Sequence, residues 1–582
     1  MLSAVAGALL GACDHGPLAT IRYRMIGLPT AIDGACPASP VAGAPSVTGA
    51  TAVRLTFRDA TALRCDVVLP LDGGLAPVVD VPGKDAPVDL TVEYVDATGA
   101  VLARGQATAI DLVDDAEVAV TIAPSDGFAC AMGRAGRPRA FHSATLLPNG
   151  EVLLVGGLGP ADTADLAAPF APSTGLFVTA STELYNPTTH TFAPVVIPGL
   201  APRAMHQAYA IADGGTIHIA LVGGITATGD PSAAPVLTPG GAFRWTPTAT
   251  ARGAPGEIID YVPAIGTFTR RAIDPDLPPR VLGAAPEALG TGAVQVGGTN
   301  AGTAEVSFDL YGGAMAASGA LRRPRVGATV TPLDDTTALV WGGDVLHNVT
   351  GQIGEPGELI GGLPAAPSAQ ALTFASVGGH RIFHAAARTG GGAIVIAGGF
   401  ALDMGVAQAV AAPATVELTI AAGAATGAEV EGPAGGYPAA LTLPDGDVLA
   451  TGGDPAVDTT GCGDTATTTG GVACALGGAW RYPSAGGPGI AIGAMQLARY
   501  GHRLTRLADG TVLVTGGLTP GGPLDPAGTL RALPDAELFE PRGTDDDPVA
   551  DLGLGRTPGD VARTAAGGAP VAECRVLARI KP

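Results

Sequence analysis

The chain has 582 residues, 47% of them hydrophobic but only 4% aromatic, and a formal net charge of −21. That charge argues against a nucleic-acid partner, whose phosphates need a basic surface, and against adsorption to anionic lipid. The 87 Gly and 50 Pro break the chain too often for long amphipathic helices and suit short strands joined by turns.

Residues 1–13 read MLSAVAGALLGAC, a short apolar run ending in Leu10-Gly11-Ala12-Cys13. This resembles the lipobox of bacterial lipoproteins, although no Lys or Arg precedes the apolar run. The resemblance implies cleavage before Cys13, acylation of its thiol, and an extracytoplasmic protein held to the cell envelope by lipid alone. A plain secretory signal with an incidental cysteine is the other reading. No later run of 18 apolar residues suggests a spanning helix.

Residues 20–125 hold strand candidates at 21–26, 52–57, 65–69, 88–94, 101–107 and 117–122. Segments such as Val53-Arg54-Leu55-Thr56-Phe57-Arg58 alternate apolar with polar residues, as strands with one buried and one wet face do. Six or so short strands in about 100 residues predict a small Ig-like β-sandwich, serving as a spacer.

From 137 to 545 one sentence is repeated with variations. FHSATLLPNGEVLLVGG (141–157) is an apolar run, a Pro-Asn-Gly turn, a second apolar run and a glycine pair. Asn-Gly between such runs is a hairpin signal, because both residues tolerate positive φ. Glycine pairs recur at Gly156-Gly157, Gly223-Gly224, Gly297-Gly298, Gly342-Gly343, Gly398-Gly399, Gly452-Gly453 and Gly516-Gly517. A period of roughly 60 residues with about four strands each points to propeller blades. The pattern resembles the kelch-repeat family, whose Gly-Gly ends the second strand of a four-stranded blade. Glu183-Leu184-Tyr185-Asn186-Pro187 with Thr191-Phe192, and Glu537-Leu538-Phe539-Glu540-Pro541, match that family's third strand. Weaker matches are Phe243/Trp245, Glu305 to Phe308, Glu417-Leu418 and Trp480/Tyr482, and the fourth repeat has no clear third strand. The resemblance implies an all-β, seven-bladed kelch-like propeller, six blades being the alternative count. Insertions at 159–172, 226–241 and 454–478 are candidate functional loops. Residues 546–582 read as a tail whose strand at 571–580 closes the ring.

Seven cysteines are present, and if Cys13 carries lipid six remain for pairing in an oxidising compartment. Grouping by domain suggests Cys36–Cys65, Cys462–Cys474 and Cys130–Cys574, the last stapling the propeller's ends. Short metal-type spacings are missing.

His142, His206, His384 and His502 recur at similar distances ahead of a glycine pair, and Arg137/Arg139, Arg203, Arg280, Arg323/Arg325, Arg381 and Arg499/Arg503 recur ahead of first strands. A residue repeated once per blade is first a packing or capping group. The functional alternative is a ring of imidazoles or a cationic rim for carboxylates or sugars. The binding candidates are therefore His142, His206, His384, His502, Arg139, Arg203, Arg325 and Arg503. Acidic clusters at Asp445/Asp447/Asp454/Asp458 and Asp545-Asp546-Asp547/Asp551 lack the calcium-loop pattern. Some kelch-type propellers resemble galactose oxidase, which implies copper, a Cys–Tyr pair and two His ligands. No such constellation stands out, and neither an Asp-box nor Gly-x-Ser-x-Gly occurs. The expectation is a monomeric, envelope-anchored binding or scaffold module for protein or glycan, with no catalytic residue, metal or cofactor. An extracytoplasmic carbohydrate-active enzyme is the alternative.

Overall fold

The computed structural model describes the chain apart from residues 1–17, 28–35, 37–46, 60–62, 72–76, 83–86, 114–115, 161–176, 228–250, 274–291, 301–302, 305–306, 313–314, 345–355, 363–367, 376–380, 404–407, 412–414, 422, 434, 455–475, 521–529, 543–574 and 580–582. Cys13, Cys462, Cys474, Cys574, Phe243, Trp245, Arg280, Asp458 and Asp545 to Asp547 thus lie outside the described residues, as do most of the three insertions. Among the described residues the regular structure is all strand apart from one 3-10 turn at Pro263–Ile265. No helix among the described residues is long and apolar enough to cross a membrane. The chain forms two compact units: Met1–Leu28 with Pro40–Ser125 and Arg542–Pro582, and Pro29–Ser39 with Asp126–Pro541.

In the first unit the hydrogen-bonded order is Leu63–Pro70, Ala52–Arg58, Val88–Val95, Val101–Ile110, Ala116–Pro124, Leu18–Gly27, Pro77–Pro82 and Arg575–Arg579. All six strand candidates are strands, and Pro77–Pro82 is an additional one. Leu18–Gly27 runs parallel to Ala116–Pro124. Val53, Leu55 and Phe57 share a core with Leu90, Val92, Tyr94, Val81, Val120 and Ile122. The alternate face of these strands is drier than alternation predicts. Arg54, Thr56 and Glu93 are buried as well, and Arg54 pairs with Glu93 at 3.3 Å. That pairing is what lets the charges leave water.

The C-terminal strand corrects the first expectation about ring closure. Arg575–Arg579 pairs with Pro77–Pro82 inside this first unit, not with a blade.

The second unit is a seven-bladed propeller, each blade holding one of the Gly-Gly strands. Blade 1 is Ser143–Leu146, Val152–Val155, Thr182–Asn186 and Thr191–Val195; blade 2 is Gln207–Asp213, Thr216–Val222, Glu257–Val262 and Thr267–Ala272. Blade 3 contributes Gly292–Val296, Ser307–Gly312 and Met315–Ala320. Blade 4 is Val326–Asp334, Thr337–Asp344, Gly357–Gly361 and Ser368–Ala371, so the fourth repeat does have a third strand. Its sequence, GELIG, is fully buried and was obscured by its glycines. In blade 2 the third strand is Glu257–Val262, where Tyr261 stacks on Phe268 with ring centres 4.1 Å apart. Blade 5 is Ala385–Arg388, Ile394–Ala397, Thr415–Ala421 and Ala424–Val430, with Thr373–Ala375 added at its outer edge. Blade 6 is Ala439–Thr442, Val448–Thr451, Ala479–Tyr482 and Ile490–Ile492.

Blade 7 joins Arg503–Arg506, Val512–Thr515 and Asp535–Glu540 to Gly127–Arg134, a strand from the start of the unit. This strand closes the ring and hides the open edges. Phe128 packs on Phe539 with ring centres 4.9 Å apart. The disulfide pairing is corrected with it. Cys130, in the closing strand, bonds Cys36, whose backbone N–H donates to Asp535 Oδ1 at 3.1 Å. Neither Cys36–Cys65 nor Cys130–Cys574 forms. Cys65 is itself disulfide-bonded.

The first hairpin also differs in detail. Only Gly150 of Asn149-Gly150 has positive φ (87°), and Gly150 N–H bonds Leu147 O at 2.8 Å. Asp213-Gly214-Gly215-Thr216, with φ of 56° and 90° at its glycines, is the tight two-residue turn.

Candidate functional site

The glycine pairs explain how the blades are seamed around the axis. The first glycine of every pair has φ between 58° and 67°, and the second between 80° and 132°. A side chain is excluded at both. A Cβ on Gly516 would lie 2.2 Å from Arg139 O and 2.8 Å from the His142 ring, both on the next blade. A Cβ on Gly157 would lie 2.7 Å from Ala140 O. The second glycine's N–H then bonds the next blade: Gly157 to Arg203 O at 2.8 Å, and Gly517 to Arg139 O at 2.8 Å.

Against four of the seven pairs sits an Arg-x-x-His segment: Arg139 to His142, Arg203 to His206, Arg381 to His384 and Arg499 to His502. The arginines turn back into their own blades. Nη1 of Arg139, Arg325, Arg381 and Arg499 each donates to the carbonyl of the glycine 17 residues on, at 2.5 to 3.0 Å. Third-strand glutamates complete most of them. Arg139 pairs with Glu183 and Arg325 with Glu358, each at 2.7 Å; Arg499 pairs with Glu537 at 2.5 Å, and Arg203 pairs with Glu257. The histidines bridge blades through Nε2: His142 to Thr515 at 2.9 Å, His206 to Ser143 at 2.9 Å, His384 to Thr329 at 2.7 Å and His502 to Thr451 at 2.8 Å. All four are buried, and no partner meets any of the four Nδ1 atoms. Burial, aided by nearby arginines, holds His142, His206 and His502 well below the usual imidazole range and His384 at about 3. They are neutral seam bolts, placed in four separate seams.

The third residue of each segment turns left-handed. Phe141, Met205, Gly327, Phe383, Tyr437 and Gly501 have φ between 53° and 69°. Their backbones form an annulus. Met205 N–H bonds Phe141 O, Phe141 bonds Gly501, Gly501 bonds Tyr437, Tyr437 bonds Phe383 and Phe383 bonds Gly327, at 2.7 to 3.1 Å. Four bulky side chains held at positive φ carry strain that the surrounding bonds must impose. Phe383 stacks on Tyr437 at 4.7 Å and Phe141 meets Tyr437 edge-on at 5.0 Å, placing aromatic rings at the axis.

Beside this annulus, along the first strands, lies an axial cavity of about 400 Å³. Its walls include Ala144, Ala208, Ala328, Ala386, Ala440 and Leu441, with Ser143, Gln207 and Thr329 as polar interruptions. Among the described residues one ionised side chain lines it, that of Arg503. Arg503 Nε donates to His142 O at 2.6 Å and Nη2 to His206 O at 3.4 Å.

Of the candidate binding residues, then, Arg503, His384 and His502 line the cavity, whereas Arg139, Arg203 and Arg325 are locked in buried ion pairs. The aromatic annulus and the alanine walls were not anticipated; the shared position of Phe141, Met205, Phe383 and Tyr437, one before the His or Pro, was the available signal. Asp445 and Asp447 surround Arg481, together with Asp126, so this acidic cluster already holds a cation of its own. Among the described residues no three His, Cys, Asp or Glu are grouped as a metal site requires.

No protein-family model matches the chain, and no curated protein matches it. Among solved structures it is similar to a fungal alcohol oxidase of the AA5 family in complex with copper. The identity is 14% and the TM-score 0.47, over 70% of this chain and 75% of that one.

Proposed function

We propose that the chain is a lipid-anchored, extracytoplasmic binding module, with the axial cavity of its propeller as the ligand site. The cavity is the observation that carries this reading. It is of small-molecule size and sets a few convergent polar groups, Ser143, Gln207, Thr329 and Arg503, among small apolar side chains, which is how binding pockets are built. A protein or glycan partner would engage it through a protruding group. The anchor rests on the lipobox-like Leu10-Gly11-Ala12-Cys13, and the mature protein would begin at an acylated Cys13.

The described donors do not fit a copper oxidase. The four recurrent histidines use Nε2 in four different seams. Among the described residues no three His, Cys, Asp or Glu converge as a metal site requires.

The test is a thermal-shift screen of the full chain against sugars and small organic acids, repeated on Ala386→Leu, which fills the cavity. The expected result is a hit that stabilises the wild type and loses at least about tenfold in affinity in the variant, a difference of roughly 1.4 kcal/mol. A ligand that stabilises both equally would remove the cavity as the site. Substrate-dependent oxygen consumption after copper loading would replace the binding module by the enzyme.

A further inference from the structure

We infer that Arg503 makes the axial cavity an anion site, and that its ligand is a small monocarboxylate. This rests on the cavity being a ligand site at all.

The chain carries 53 Asp and Glu against 32 Lys and Arg, yet among the described residues no carboxylate lines the cavity. Most of the propeller's buried arginines are matched by carboxylates, Arg381, which donates to Gly398 O, being outside that set, and half-buried Arg503 is the one that lines the cavity. Arg139, Arg203, Arg325 and Arg499 each have a glutamate, and Arg481 has three aspartates. Arg503 has none among the described residues; its two partners are backbone carbonyls. A guanidinium taken from water without a counter-ion is costly, and a carboxylate supplied by a ligand relieves that cost.

The geometry fits the same ligand. The bonds to His142 O and His206 O fix Nε and Nη2, so the planar fork is oriented in advance. Among the described residues no hydrogen bond reaches Nη1, which is left to donate to a carboxylate oxygen. Burial lowers Arg503 only to about 10, so it remains a cation at neutral pH. His384 and His502, the cavity's other basic groups, are neutral there. One cation suits one negative charge. Beyond it the walls mix alanine, leucine and valine with Ser143, Gln207 and Thr329, and Phe141, Phe383 and Tyr437 stand at the annulus, so the body of the ligand meets apolar and polar groups alike.

The experiment is calorimetric titration of the full chain with benzoate and with benzamide, its uncharged counterpart, on wild type, Arg503→Gln and Arg503→Lys. Benzoate is expected to bind one to one and at least about tenfold more tightly than benzamide, a preference that Arg503→Gln abolishes and Arg503→Lys partly keeps. Equal binding of the two probes by the wild type would overturn the anion preference while leaving the cavity as a site. So would undiminished benzoate binding by Arg503→Gln. Failure of both probes on the wild type would overturn the cavity reading with it. Should Arg503→Gln not fold, the wild-type ratio and Arg503→Lys decide the matter. Ala386→Leu is expected to weaken both probes alike, and benzoate binding that survives it would place the anion site elsewhere.

Discussion

Two seams of the same ring solve one problem with different residues. Between blades 7 and 1, Gly517 N–H bonds Arg139 O, Arg139 pairs with Glu183, and the His142 ring fills the space that Gly516 leaves open. Between blades 5 and 6, Gly399 N–H bonds Gly435 O at 2.6 Å, so glycine stands in the arginine position. Pro438 takes the place of the histidine, its Cγ 3.0 Å from where a Gly398 Cβ would be. The glutamate is missing from the same blade. Glu537 lies opposite Val514, two residues before its glycine pair, and in blade 6 Trp480 lies opposite Ala450, the equivalent position. Arginine and glutamate have gone together. The backbone device of the two glycines is thus the invariant part, and the ion pair is a removable addition.

This comparison makes its largest prediction at blade 7. Arg499→Met would strand Glu537 in a fully buried site, where burial already raises its pKa and two backbone N–H groups are its other partners. The expected loss is about 3–5 kcal/mol in urea unfolding, the usual cost of orphaning a buried charge. Arg499→Met combined with Glu537→Met imitates blade 6 and should recover most of that loss. A double variant as unstable as the single one would break the claim that the pair is removable.

Closure offers a second contrast, between the strand that occurs once and the strands that recur. The glycine pairs, the Glu-Leu-Tyr strand and the Arg-x-x-His spacing were legible because each appears several times in corresponding places. Gly127–Arg134 appears once, contains two glycines, and finds its partner about 400 residues away, a distance that local pattern does not encode. Cys36 likewise belongs to the propeller unit although it precedes most strands of the other one, so grouping cysteines by sequence neighbourhood paired it wrongly. Arg499 and Arg503 illustrate the limit for the site. The sequence presents two arginines flanking one histidine, and only the fold separates the one answered by Glu537 from the one facing the cavity. Cys36→Ser with Cys130→Ser should lower stability by about 2–4 kcal/mol, because the bond closes a loop of 94 residues across the ring's single non-repeating seam. Limited proteolysis reads the same event: cleavage near 127–134 should accelerate ahead of cleavage in blades 1 to 6. Uniform acceleration would show that the closing strand is no weaker than the rest.

The smallest effect sharpens the difference between the histidine and proline seams. A histidine whose pKa is depressed in the folded state binds fewer protons there than in the unfolded chain. Its contribution to stability is therefore complete above the unfolded value near 6.5 and is lost as pH falls toward the folded value. For His384 that window runs from about 6.5 down to about 3, with burial as the main cause and Arg381 adding to it. Protonation would place a second N–H on a ring whose Nδ1 has no partner in the seam. Stability should thus fall with acidification, and His384→Gln should flatten the decline by up to roughly 1.4 kcal/mol per pH unit between pH 6 and pH 4. Glutamine keeps a polar atom for Thr329 but does not titrate. Pro438, in the homologous place, contributes nothing to this slope, so Pro438→Ala should shift the whole curve without tilting it. A tilt in that variant equal to the one in His384→Gln would mean that acid sensitivity arises in the carboxylates rather than in the seams.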